Sequence, residues 1–207
     1  MERGGVLGYP CYVTNPSSPV QSSSQQVEVR LTPELNGRDR RTVFFRYVLV
    51  APVAILTWLL TVSLFPPVVL SLLFRRTYPS YVLTFNHALL ELHVRIAAYI
   101  YLLTDDYPSI ERNPKIAVLF PDIDGGKTLN PWLPLIKWLL AIPLILVGCL
   151  YSFAALFITF INWIRISATG TCPAWGLQVV VGSVSYWSRV AGYAFILVTD
   201  EYPSFKL

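Results

Sequence analysis

Arg95 and Arg189 stand at the same point of two similar stretches, RIAAYIYLLTDDYPS and RVAGYAFILVTDEYPS, each with a small residue three positions on, Ala98 or Gly192. A guanidinium forks onto phosphate or carboxylate oxygens, so the pair could hold lipid phosphates or a partner's carboxylates between two helices. The simpler reading pairs each arginine with the acid of its own stretch, Asp105 or Asp200, or lets its head reach the lipid headgroups. Asp105 and Asp200 close a helix-forming run, where the helix dipole disfavours an acid. A compensating cation is expected, and the arginines flanking the apolar runs are candidates. The Tyr-Pro that follows is a helix stop. The candidate lipid or partner contacts are therefore Arg95, Arg189, Asp105, Asp200 and Glu91, the last on the same helix stripe as Arg95.

Other chemistry is thinner. His87 and Glu91 share a helix face and could ligate a metal, but His93 points roughly the other way, and the matching stretch has Val181, Ser185 and Trp187. No metal is therefore expected. Asp122-Ile-Asp124 begins like a calcium loop and then fails, with Gly126 and Leu133 where ligands are needed. Gly126-Lys127-Thr128 lacks the earlier glycine of a phosphate loop, since Pro121 stands there. No nucleophilic serine or Cys/His pair emerges, and Cys11, Cys149 and Cys172 lie too far apart for a metal site or a disulfide framework. The expectation is a protein without catalytic residues or cofactor.

The composition sets what must carry these residues. Of 207 residues, 54% are hydrophobic and 14% charged, against about 25% charged in soluble domains, and the mean hydropathy is +0.52. Residues 47–74 and 138–164 contain no charge, and each run exceeds the roughly 18 apolar residues that mark a membrane segment. Cations flank both runs: Arg38, Arg40, Arg41, Arg46, Arg75 and Arg76 about the first, Lys127, Lys137 and Arg165 about the second. Scattered in this way, they form no basic face for nucleic acid. Residues 1–25 are rich in Pro, Ser and Gln and read as a disordered tail; no apolar h-region marks them as a secretory signal, so insertion rests on the first membrane segment.

The rest of the chain runs twice. Arg46 and Pro52 match Lys137 and Pro143; Thr77, Pro79 and Arg95 match Thr171, Pro173 and Arg189; Asp105, Tyr107, Pro108 and Ser109 match Asp200, Tyr202, Pro203 and Ser204. The expected fold is an all-α membrane protein of two tandem repeats, 26–112 and 113–207. Each holds a short extended segment (Val27 to Leu31, Ile116 to Phe120), a membrane-embedded helical hairpin or long kinked helix, and an amphipathic helix (Tyr81 to Thr104, Trp175 to Thr199). Polar stripes run down the amphipathic helices: Thr84, His87, Glu91, Arg95 and Ala98 in one, Gln178, Gly182, Ser185, Arg189 and Gly192 in the other. Basic flanks at matching points imply that both copies face the same way, hence an even number of crossings each. Cations at both ends of each run favour the hairpin, bent at Pro66-Pro67 or Gly148.

The recurring pieces KWLLAIP, T-x-P and R-(I/V)-A-(A/G)-Y…T-D-(D/E)-Y-P-S resemble the bacterial domain-of-unknown-function 4389 family, once per repeat. The first copy departs from the pattern at Arg46, Val-Ala-Pro and Pro66-Pro67. The resemblance implies a multi-pass protein of the bacterial cytoplasmic membrane and no particular activity. Two functions follow as expectations. One is a non-catalytic accessory or scaffold subunit whose partners are membrane lipids and other membrane subunits. The other is a small transporter or lipid-binding protein with a site between the repeats, near Arg95 and Arg189.

Overall fold

The computed structural model describes residues 25–33, 42–109, 111, 115–169 and 175–207. The segment before residue 25, Arg38, Arg40, Arg41, Thr171, Cys172 and Pro173 lie outside these residues. In chain order come β1 (Glu28–Leu31), α1 (Thr42–Arg75), α2 (Ser80–Ile100), β2 (Ile116–Leu119), α3 (Leu133–Thr169) and α4 (Leu177–Ala191). A 3₁₀ turn spans Asp124–Gly126, and a π-helical turn, Gly192–Ile196, extends α4. The protein is thus mostly helical, with a strand, a long helix and a shorter helix in each half.

Of the two forms expected for the apolar runs, the structure has the long helix and not the hairpin. Each charge-free run is one uninterrupted helix, passing through Pro52, Pro66 and Pro67 in α1 and through Pro143 in α3. A proline inside a helix costs about 3 kcal/mol, whereas a turn in apolar surroundings strands several backbone groups without partners. Gly148 has a different use from the expected bend, because a Cβ there would come within 2.7 Å of Trp187 Cζ2. Residues 45–75 and 133–169 are long and apolar enough to cross a membrane, and their most apolar stretches are only 11% and 22% buried. The core helix of a soluble protein would be mostly covered.

The long helices run antiparallel. Phe65, late in α1, lies 5.4 Å from the ring of Trp138, early in α3. Tyr47, early in α1, shares a cleft with Leu156, Thr159 and Phe160 of α3. Upright in a bilayer, the antiparallel pair would put Arg46 and Lys137 on opposite sides, whereas the sequence reading has both copies facing one way. That reading took the two cations for solvated flanks; both are 1% exposed and paired inside the protein.

The short helices form a middle layer. His87, on the polar stripe of α2, donates from Nε2 to Val118 O of β2 at 2.7 Å, while Leu92, Ile96 and Tyr99 on another face pack with Val50 of α1. On α4, a Cβ at Gly192 would collide with Val27, just before β1, and Tyr186 and Val190 pack with Ala141 and Leu144 of α3. The polar stripes thus face the strands, and apolar faces meet the long helices. β1 and β2 pair antiparallel, with Val29 opposite Val118 and Arg30 opposite Ala117. Each strand lies on the short helix of the other half, so the two halves interlock instead of folding side by side.

Candidate functional site

The acids at the ends of the short helices meet cations, though not the arginines nearest in sequence. Arg46 donates to Asp105 Oδ1, to Tyr99 O at 2.6 Å and to Thr104 O at 2.8 Å. Lys137 donates to Asp200 Oδ1 and to Thr199 O, both at 2.7 Å. Each cation also sits over an aromatic ring, Arg46 at 4.2 Å from the Tyr99 centroid and Lys137 at 4.9 Å from that of Tyr193. Tyr107 and Tyr202 complete the two clamps, donating to Leu49 O and Leu140 O of the long helices. The backbone turns alike in both halves as well. Leu102 and Leu197 adopt the left-handed conformation that ends a helix, and this aims the following Thr-Asp at the cation.

Arg95 and Arg189 have another task. Arg95 donates to Ser109 O at 2.8 Å and Glu111 O at 2.6 Å and pairs with Glu91 Oε2 at 3.1 Å. Arg189 donates to Ser204 Oγ at 2.9 Å and to Lys206 O. Both guanidiniums therefore pin the chain that follows the Tyr-Pro turn. They do not pair with Asp105 or Asp200, and they do not converge on a common cavity. His87, Glu91 and His93 serve three separate purposes, and among the described residues no three His, Cys, Asp or Glu gather as a metal site.

A cavity of about 370 Å³ does lie between the halves, under α1 and between α2 and α4. Its walls are Trp58, Leu90, Val94, Val184, Phe195 and similar apolar side chains, with Asn86, His93 and Ser188 as isolated polar groups. None of the five residues singled out by the sequence lines it. Asn86 and His93 are polar residues among the apolar ones of α2, and the residues opposite them belong to the other half of the chain. At one end, Tyr78 donates its hydroxyl hydrogen to Ile196 O at 2.9 Å and accepts from Asn86 Nδ2 at 2.8 Å. Burial pushes the Tyr78 phenol up to about 12, against a smaller lowering by the Asn86 hydrogen bond. Desolvation holds the His93 imidazole below its ordinary value, with the Leu89 carbonyl opposing weakly.

No family model matches the chain, and no curated protein or solved structure matches it either. Fold and site together define a mostly helical protein whose interlocked halves form an apolar cavity beneath the bare helix α1.

Two outcomes follow. Arg46→Met removes the guanidinium from Asp105 and from two carbonyls; the loss should be about 3 kcal/mol, the low end for breaking a buried pair because Asp105 keeps some water. SDS titration of the detergent-solubilised protein should show it, whereas Lys127→Met, which breaks only the exposed 3.7 Å pair with Asp124, should leave the midpoint unmoved. For Tyr78, a phenol raised in the folded state stabilises fully below its ordinary titration near pH 10 and loses that contribution as pH climbs toward 12. Unfolding midpoints measured from pH 9 to 12 should fall, and Tyr78→Phe should flatten the fall while costing about 1–3 kcal/mol at neutral pH.

Proposed function

We propose that this chain is a non-catalytic membrane protein, formed by duplication, that seats its α1–α3 layer in a bilayer and serves as an accessory or scaffold subunit. The observation that carries the reading is the bare outer layer: Phe45, Val48, Trp58, Trp138, Leu139, Phe153 and Phe157 are each about 60% exposed or more. In water such a surface, far beyond the few hundred Å² usual for a soluble monomer, would aggregate. Placing it in the bacterial cytoplasmic membrane rests on the motif resemblance alone.

The seating is one-sided, in place of the multi-pass crossing expected from the sequence. Residues 47–74 form roughly 42 Å of helix against a hydrocarbon core of roughly 30 Å, so an upright helix would need more tilt than membrane helices usually show. Upright helices would also carry the strand pair, at the middle of the molecule, to the bilayer centre. There the Glu28–Arg30 pair, with side chains 39% and 49% exposed, would face lipid, where ionised groups are costly. Lying flat, α1 and α3 occupy one leaflet, α2 and α4 reach headgroup depth, and the strands stand in water. Both repeats then face the same way without crossing.

The seating can be read by labelling. Arg30→Cys, Lys115→Cys and Lys127→Cys, each in a chain with Cys11, Cys149 and Cys172 changed to Ser, should all react with an impermeant maleimide from one side of sealed vesicles. Reaction of the last two from opposite sides, with the first shielded, would overturn it. For the subunit role, native mass spectrometry after mild detergent extraction should find the chain in a stoichiometric complex with another membrane protein; a solitary chain sinks that role. A lipid-binding role is the second reading, and the cavity between the halves favours it.

A further inference from the structure

The two halves differ at one place that matters. Trp187 on α4 occupies the position that His93 holds on α2, and its indole N–H donates to Ser152 Oγ at 2.7 Å, above the space Gly148 leaves open. Val180 likewise stands where Asn86 does. The second half is plugged by a tryptophan, while the first keeps a cavity with polar groups in its wall.

Those groups are mostly acceptors. The Tyr78 hydroxyl donates to Ile196 O, so its oxygen must take the Asn86 amide N–H. Asn86 Oδ1, in a residue only 4% exposed, then accepts nothing among the described residues. His93 Nδ1 faces the Leu89 carbonyl at 2.9 Å and can only donate there, so the neutral ring keeps the lone pair of Nε2 unused. Thr61, Trp187 and Ser188 have committed their hydrogens to Thr57 O, Ser152 Oγ and Val184 O. The Tyr101 hydroxyl can take either role. No Asp, Glu, Lys or Arg lines the cavity, so an ionic head would enter without a counter-ion. Both acceptors open on the cavity, where an incoming hydroxyl can donate to them.

We propose that the cavity binds one single-chain, uncharged lipid with a hydroxyl-bearing head of the monoacylglycerol type. A head hydroxyl donates to His93 Nε2, Asn86 Oδ1 offers a second acceptor in the same wall, and the hydrocarbon lies along Trp58, Val62 and Phe195. The volume of about 370 Å³ falls at the small end of ligand sites, which run from roughly 300 to 1,000 Å³, and this favours one chain over two. Trp58 and Val62 are 61% and 49% exposed on the bare face of α1, so the chain reaches the cavity from the bilayer; the inference rests on the membrane seating proposed above.

Native mass spectrometry of the full chain released from phosphatidylcholine nanodiscs, titrated with 1-monoolein, 1-oleoyl lysophosphatidate and methyl oleate, tests it. The first shares its chain and glycerol with the second, which adds a charge, and its chain with the third, which lacks donors. One monoolein should bind per chain, at least tenfold more tightly than either relative. His93→Phe should weaken it about tenfold and His93→Gln, which keeps an acceptor, far less. Equal binding of the three lipids, or unchanged binding by His93→Phe, overturns the proposal. The wild-type lipid series decides the matter even if a variant misfolds. A chain that resists alkaline washing of membranes yet shows no preference for monoolein loses only the ligand; a chain released by that wash loses the seating as well.

Discussion

A carboxylate at the C-terminal end of a helix faces the negative pole of the peptide dipoles and cannot stay there without a cation. Both halves place such an acid at a tight turn, and both answer it from the far side of the chain: Arg46 reaches Asp105 across 59 residues and Lys137 reaches Asp200 across 63. Each closure lays the start of a long helix against the end of a short one. The same cations take up the carbonyls of Tyr99, Thr104 and Thr199, and an aromatic face covers each charge. Pairing a buried ion this well offsets its desolvation, which an isolated guanidinium or ammonium in that position would not survive.

The rest of the architecture depends on that economy of charge. Because the cations at the helix starts are neutralised inside, the long helices present uninterrupted apolar surface, and because Arg95 and Arg189 hold down the chain after each turn, polar residues collect on the strand side of the middle layer. A helix that is apolar all round has to be covered by something, and α1 and α3 leave most of their apolar surface uncovered by the rest of the described chain.

Much of this was legible in the sequence. Strand, long run and short helix recur in order, the polar stripes are where period 3.6 puts them, and the need for a cation opposite Asp105 and Asp200 follows from the dipole alone. Which cation answers did not follow, because Arg95 is nearer along the chain and only the antiparallel fold-back brings Arg46 closer in space. The antiparallel setting of α1 and α3 was hidden for a related reason: Arg46 and Lys137 read as flanks until their burial is known. The cavity was invisible for a third. Asn86 and His93 come from one repeat, Val184 and Ser188 from the other, and nothing local in either stretch signals that they face one another.

The placement of each strand on the opposite half's short helix has an evolutionary and mechanical corollary. A chain of half the length, built like either half, would leave its strand unpaired and its short helix uncovered. Both needs are met by a second copy of itself turned through 180°, with the same antiparallel register between strands and the same crossing of long helices. Such a pair is an isologous homodimer with exchanged strands. Joining its two subunits by one covalent connection frees them to diverge, so that a residue can be changed on one side of the axis and kept on the other. In this chain His93 stands at one of the two matching places and Trp187 at the other.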